Sequence, residues 1–230
     1  MKVLITGASR GIGYALAKEY CRNGHEVVAI ARTSSKLLEL EAFSKSNPNY
    51  LEIKIYTCDL ALDLSCLDEV VKGENKIDVL INNAGMLLNR AFKDISQKEL
   101  EEVYRLNVFS PFYIIQKLLP FFSSDAQIIN IGSVGGVSGS VKFPGLSAYS
   151  SSKGALSILT ECLQAEFSET DLTFNCLALG AVQTEMLEEA FPGYKADVSP
   201  GDLAKYIYNF TLGSSKVQRG QTISVSRSNP

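Results

Sequence analysis

Tyr149 and Lys153 stand four residues apart in the run Tyr149-Ser150-Ser151-Ser152-Lys153. On a helix that spacing sets a phenol and an ammonium on one face, one turn apart. A cation so placed favours the phenolate, which predicts a tyrosine pKa below its free value of about 10. The pair would then donate or accept a proton near neutral pH. Without a usable histidine, acid–base work falls to Tyr, Lys or carboxylates, which suits this pair. His25 is the single histidine and follows Gly24, far along the chain from any candidate nucleophile. A Ser-His-Asp hydrolase and a histidine-based zinc site are therefore disfavoured, and no metal is expected. His25 itself reads as an exposed turn residue.

At the other end of the chain, Lys2-Val3-Leu4-Ile5 reads as a short buried strand. Thr6-Gly7-Ala8-Ser9-Arg10-Gly11-Ile12-Gly13 follows, and a helix continues through Ala15 to Tyr20. A strand, a glycine-rich turn and a helix N-terminus together form a dock for a dinucleotide pyrophosphate. Glycines let the backbone turn sharply and approach the phosphates with no Cβ in the way. The spacing is T-G-x-x-x-G-x-G and not the general G-x-G-x-x-G.

Between these two ends, apolar patterning alternates strands with helices, as in a parallel sheet covered on both faces. Strands are expected near 2–6, 26–31, 51–57, 77–82, 126–132, 172–178 and 221–225. Helices are expected near 11–23, 34–46, 64–72, 96–122 with a break near Pro111, 147–169 and 200–212. Loops at 133–146 and 184–199 follow strand C-termini, the edge at which such sheets bind ligands. No repeat or linker divides the chain, so residues 1–230 are read as one domain carrying both cofactor and substrate sites.

With these residues in order, the chain resembles the classical short-chain dehydrogenase/reductase family over nearly its whole length. Thr6 to Gly13 is similar to the family's cofactor turn, and Asp59-Leu60 to its adenine-side acidic position. Asn82-Asn83-Ala84-Gly85 resembles its N-N-A-G signature, and Asn107, Ser133, Tyr149 and Lys153 match its four catalytic positions. The resemblance implies a doubly wound Rossmann-type α/β fold and hydride transfer with NAD(P). Gly7, Ser9, Arg10, Gly11, Ile12 and Gly13 would then hold the cofactor, with Asp59 and Leu60 at the adenine. Asn83, Ala84 and Gly85 would lie against its ribose. Leu179-Gly180-Ala181-Val182-Gln183-Thr184 resembles the P-G-x-V-x-T segment, which brings Val182 and Thr184 to the carboxamide or phosphates. By the same resemblance Lys153 also holds the nicotinamide ribose, and Asn107 helps hold a water that links the lysine to solvent.

Cofactor choice is read at the end of the second strand. An acidic residue there would accept from the ribose 2′-hydroxyl and repel a 2′-phosphate. This chain has Ala31-Arg32-Thr33-Ser34, whose guanidinium fork and hydroxyls suit a phosphate. Arg10 can add a second positive charge. NADP(H) is therefore favoured over NAD(H). In catalysis, a hydride arriving at a carbonyl builds charge on its oxygen. Tyr149 would supply the proton, and Ser133 would donate a hydrogen bond to the same oxygen.

Three departures from the family pattern stand out. Leu179 replaces a usual proline, which predicts altered mobility of the loop behind the nicotinamide. The stretch from Ser133 to Tyr149 is a few residues longer than usual, and Gly135, Gly136 and Gly139 could absorb the excess as a bulge. The C-terminal Gly220 to Ser226 lacks the common D-G-G ending, so a homodimer or homotetramer rests on family expectation alone.

Composition bounds the partners. The 230 residues carry 22 basic and 25 acidic side chains for a net charge of −3, and 46% are hydrophobic. Neither a nucleic-acid nor a membrane partner is indicated, and no signal peptide is expected, because the first strand is read from residue 2. Five scattered cysteines without a C-x-x-C pair suggest reduced thiols and a cytoplasmic location. Val134, Val137, Phe143, Leu146, Met186, Phe191, Tyr194 and Leu87 are candidate pocket residues. Being mostly apolar, they favour a small or medium apolar ketone, diketone or aldehyde, or the matching alcohol. A cofactor-binding sensor with vestigial chemistry remains an alternative. A nucleotide-sugar epimerase or dehydratase also uses Tyr-x-x-x-Lys, but it resembles a longer chain with a different glycine spacing.

Overall fold

A computed structural model describes residues 1–72, 76–213 and 217–227. Seven strands form one sheet: β1 Lys2–Thr6, β2 Glu26–Ala31, β3 Ile53–Thr57, β4 Ile77–Asn82, β5 Phe122–Ser133, β6 Thr173–Leu179 and β7 Thr222–Val225. Their order is β3-β2-β1-β4-β5-β6-β7, and every neighbouring pair is parallel. Helices α1 Gly11–Arg22, α2 Ser34–Lys45, α3 Cys66–Val70, α4 Gln97–Tyr104, α5 Ser110–Leu118, α6 Ser147–Glu166, α7 Glu185–Ala190 and α8 Pro200–Leu212 make the crossovers and the flanking layers.

Alternation along the strands explains why both faces are covered. Val3 and Ile5 join Val27, Ala29, Val79 and Ile81 in a core under α1, α2 and α8. Their neighbours Leu4, Val28, Ile30 and Leu80 face the opposite core, under α3 and α5. Successive strand residues point to opposite faces, so a sheet buried on both sides needs the near-continuous apolar runs seen here.

The strand order reverses between β1 and β4, where the first two crossovers step one way and the later ones the other. This is the position at which doubly wound sheets open a crevice at their C-terminal edge. The glycine turn after β1 and the Asn82-to-Gly85 segment after β4 meet there.

Four expectations require correction. The break expected near Pro111 lies earlier, in a π turn spanning Arg105–Phe109. Pro111 sits in the first turn of α5, directly after that turn and in continuous helical backbone, so the N–H it lacks is one that a regular helix would have used. β5 begins at Phe122, not 126, and its register against β4 shifts between Ile77 and Val79. Residues 185–190 form α7 within the segment expected to be loop. Finally, His25 is half-buried and not exposed. Its ring lies 5.8 Å from that of Tyr20 and 5.7 Å from that of Tyr208, and Nε2 is 3.3 Å from the Tyr208 hydroxyl.

Candidate active site

Thr6 is the staple at the crevice. Its Oγ1 accepts from the backbone N–H of Asn83 at 3.1 Å and of Ala84 at 3.0 Å. In return, Asn83 Nδ2 donates to the carbonyls of Thr6 at 3.0 Å and Gly7 at 3.2 Å. The two motifs therefore form one unit, and the approach is too close for side chains. A Cβ on Gly7, whose φ is +68°, would lie 2.8 Å from Ala84 Cα. α1 starts beyond this turn with no side-chain cap and no acidic residue in its first turn. Its free N–H groups and positive pole are thus open to an anion.

The crevice is a cleft of about 450 Å³. Its lining includes Gly7, Ser9, Arg10, Gly11 and Ile12 from the first turn, Arg32, Asp59 and Leu60 at one end, and Asn83, Ala84 and Gly85 between them. Tyr149, Lys153, Val182 and Thr184 line the other end. An elongated cleft whose floor is glycine backbone at an uncapped helix N-terminus fits a dinucleotide with its pyrophosphate. Gly13, Asn107 and Ser133 are not part of the lining. Gly13 is instead the contact at which α1 packs on the first turn, because a Cβ there would meet Asn83 Nδ2 at 2.5 Å.

α6 carries Tyr149 and Lys153 on one face, with the ammonium 6.0 Å from the phenol ring centre. Lys153 Nζ donates to the Ile131 carbonyl of β5 at 2.7 Å. Burial pulls this amine down to about 8, partly offset by Cys176. Burial acts oppositely on Tyr149: it raises the phenol, and a hydrogen bond with the Ser133 side chain counters the rise. The expected depression of Tyr149 by Lys153 is not what this arrangement produces. The ammonium is held by a backbone carbonyl, and loss of hydration dominates the phenol.

Ser133 ends β5, and its Oγ also accepts from Gly135 N at 3.3 Å. Asn107 lies in the π turn and is fully buried. Its Oδ1 accepts from Met86 N at 2.8 Å, and its Nδ2 donates to Met86 O and to Ser152 Oγ, each at 2.9 Å. A Cβ on Gly85 would stand 3.2 Å from Asn107 Oδ1 and 3.3 Å from Lys153 Nζ. The amide and the ammonium therefore flank the same glycine. Ser152, which the sequence reading passed over, joins Asn107 to α6.

The departures have local explanations. Leu179 closes β6, paired with Ser133 on one side and Val225 on the other. The ladder thus fixes backbone that a proline ring would otherwise fix. In the long segment before Tyr149, Gly136 packs on α6, where a Cβ would meet Lys153 C and Gly154 N at 2.7 Å. Of the three glycines expected to absorb the excess, Gly139 has a positive φ, +81°, with open space around it. The segment is pinned beyond it, because Arg90 N donates to Gly145 O at 2.9 Å.

Leu87, Phe143, Leu146, Met186, Phe191 and Tyr194 line the cleft, whereas Val134 and Val137 do not. The carbonyls of those two valines instead close the turn after β5, by accepting from Val137 N and Ser140 N at 3.0 and 3.3 Å. Glu185 also lines the cleft. At the far end Arg32 lies 3.8 Å from Asp59, and Arg10 pairs with Glu189. Sequence gave no pointer to Glu185 or Glu189 beyond their place in an acidic run.

Comparison with known proteins agrees with this geometry. The family signature described as short chain dehydrogenase matches residues 1–195. A trihydroxynaphthalene reductase of Pestalotiopsis fici is 29% identical over 80% of this chain and 65% of its own length. A fatty acyl-CoA reductase of Acinetobacter baylyi is 32% identical over 89% of this chain and 70% of its own. Among solved structures, a Shigella flexneri short chain dehydrogenase complexed with NADP superposes with a TM-score of 0.88 at 25% identity, covering 97% of this chain and 95% of that one. An Escherichia coli short chain dehydrogenase complexed with NADPH gives 0.87 at 25% identity, covering 97% and 95%. No helix among the described residues is long and apolar enough to cross a membrane. The sheet order, the crevice and these matches agree: the chain belongs to the short-chain dehydrogenase family of oxidoreductases.

Proposed function

We propose that the protein is an NADP(H)-dependent carbonyl reductase or alcohol dehydrogenase acting on a small or medium, mostly apolar substrate. The observation that carries this reading is the placement of Tyr149 and Lys153 in the wall of a glycine-floored cleft beside apolar side chains. Reductases among the relatives and the NADP and NADPH complexes among the structural neighbours support it.

When bound, NADP(H) supplies or accepts the hydride. Tyr149 donates the phenol proton to the carbonyl oxygen in reduction and takes it back in oxidation. Ser133 hydrogen-bonds the same oxygen and, through its contact with Tyr149, holds the phenol aimed at it. Lys153 carries positive charge one helical turn behind Tyr149 and holds the nicotinamide ribose. Asn107 keeps the segment after β4 in place beside Lys153 through its two bonds to Met86. Arg32, with Arg10, selects the 2′-phosphate. The protein acts in the cytoplasm, a reading supported by five unpaired cysteines.

The test follows NADPH and NADH oxidation by the wild type against aliphatic, aromatic and vicinal diketone carbonyls, with Tyr149→Phe as control. Turnover by the wild type alone, with dinucleotide binding intact in the variant, supports the reading. Equal turnover by Tyr149→Phe defeats the mechanism. Dinucleotide binding without turnover of any carbonyl puts a sensor in its place.

A further inference from the structure

Arg10, in the glycine turn, and Glu189, on α7, are 179 positions apart and form a two-point ion pair. One guanidinium nitrogen bonds each carboxylate oxygen, and the Nη2 to Oε2 contact is 3.1 Å. Glu185, one turn earlier on α7, leans the same way, with Oε2 3.6 Å from where a Cβ on Gly11 would stand. The Thr184 methyl lies 3.2 Å from that same point. α7 therefore lays two carboxylates against the glycine turn and the open N-terminus of α1, the groups that would otherwise face cofactor phosphates. Its other end is tied to the segment after β4, where Asn89 Nδ2 donates to Ala190 O at 2.9 Å.

We propose that Glu189 is a cofactor-selectivity residue: its carboxylate engages Arg10 and competes with the 2′-phosphate of a phosphorylated dinucleotide for that guanidinium. The inference rests on the NADP(H) reading above and adds a residue that opposes it. Both groups present two oxygens to the same planar fork, so a guanidinium committed to one is lost to the other. The pair is exposed, at 45% for Arg10 and 61% for Glu189. Such pairs are weak, so a phosphate dianion displaces the carboxylate at a modest cost in affinity. An unphosphorylated dinucleotide brings no 2′-phosphate to that fork, and whatever Arg10 gives the glycine turn is common to both dinucleotides and cancels between them. Because α7 also carries Met186 and Leu187 into the cleft, release of Glu189 by the 2′-phosphate loosens that wall. An occupied phosphate site and a closed α7 then oppose one another, as reciprocal coupling requires.

The test measures dissociation constants of NADPH, NADH, 2′,5′-ADP and 5′-ADP for the full-length wild type, Glu189→Gln, Arg10→Met and the double variant. Glu189→Gln is expected to tighten NADPH and 2′,5′-ADP by roughly two- to fivefold, the range set by an exposed ion pair. NADH and 5′-ADP should change less, so that the preference for the phosphorylated ligands rises. Arg10→Met should weaken the phosphorylated ligands and abolish the effect of Glu189→Gln, as a cycle between contacting partners demands. Hydrogen exchange across 185–190 should rise on binding 2′,5′-ADP but not 5′-ADP. Equal changes for both ligand classes, or an effect of Glu189→Gln that survives in the Arg10→Met background, overturn the inference while leaving the NADP(H) reading intact. Failure of the wild type to bind either dinucleotide overturns both.

Discussion

Lys153 Nζ donates to the Ile131 carbonyl at 2.7 Å, which fastens the lysine of α6 to the strand that ends two residues later in Ser133. The bond fixes an ammonium at 5% exposure, 6.0 Å from the centre of the Tyr149 ring. Tyrosine, lysine and serine are thus positioned by one helix and one strand.

A pH dependence of stability follows. Burial lowers the folded Lys153 from 10.5 to about 8, so between these values the unfolded chain holds a proton that the folded one lacks. The contribution of Lys153 to the stability of the cofactor-free protein should therefore rise with pH from about 8 towards 10, by on the order of 3 kcal/mol at most, while the thiols of Cys21, Cys66 and Cys176, raised by burial, pull the other way above the ordinary cysteine range. Below about 8 the full cost of the buried charge is present. The raised phenol of Tyr149 opposes this gain only above the ordinary tyrosine range. Urea midpoints of the wild type and of Lys153→Met across pH 7 to 10 check it: the stability of the wild type relative to the variant should grow with pH, and an unchanged difference would assign the trend to other groups.

Ser133→Ala should lower kcat by about a hundredfold, the cost of losing one donor to a developing oxyanion. The same hydroxyl holds the Tyr149 phenol down, so the tyrosine limb of the pH–rate profile should move upward. Ser133→Thr should restore both in part. A lower rate with an unmoved limb would separate the donor role from the effect on Tyr149.

Thr6→Val keeps the shape of Thr6 but removes the acceptor shared by Asn83 N and Ala84 N. Two half-buried N–H groups are left without that partner, and the expected loss is about 2 kcal/mol. Chemical denaturation measures it. Thr6→Ser should retain most of the stability, and a Thr6→Ser loss as large as that of Thr6→Val would place the effect in packing.

Arg32→Asp should weaken NADPH by about tenfold or more and leave NADH bound at least as well, because it exchanges a phosphate-matched fork for a carboxylate. Asp59 lies 3.8 Å from the Arg32 guanidinium, so the variant also places two carboxylates together, which repels a 2′-phosphate further. Dissociation constants for the two dinucleotides decide it. Unchanged NADPH affinity would mean that the phosphate is held elsewhere.

Local chemistry in the sequence determined which elements form and in which order. Runs such as Val3-Leu4-Ile5 and Val27-Val28-Ala29-Ile30 are apolar on both faces, a pattern only a doubly covered sheet can bury, and Gly7, Gly11 and Gly13 mark the first turn through their lack of Cβ. The four-residue step from Tyr149 to Lys153 likewise requires nothing beyond the helix repeat. Tertiary structure decided the rest, because it depends on contacts between distant segments. The irregular turn spans residues 105–109, just ahead of Pro111, and from inside it Asn107 reaches Met86 and Ser152. The partner of Lys153 is a carbonyl 22 residues away, and the upward shift of Tyr149 follows from the loss of hydration on closing the core. Glu189 meets Arg10 only because α7 folds back over the glycine turn. A carboxylate in an acidic run carries no sign of its partner until the chain is folded, because charge attraction depends on distance in space and not on separation along the sequence.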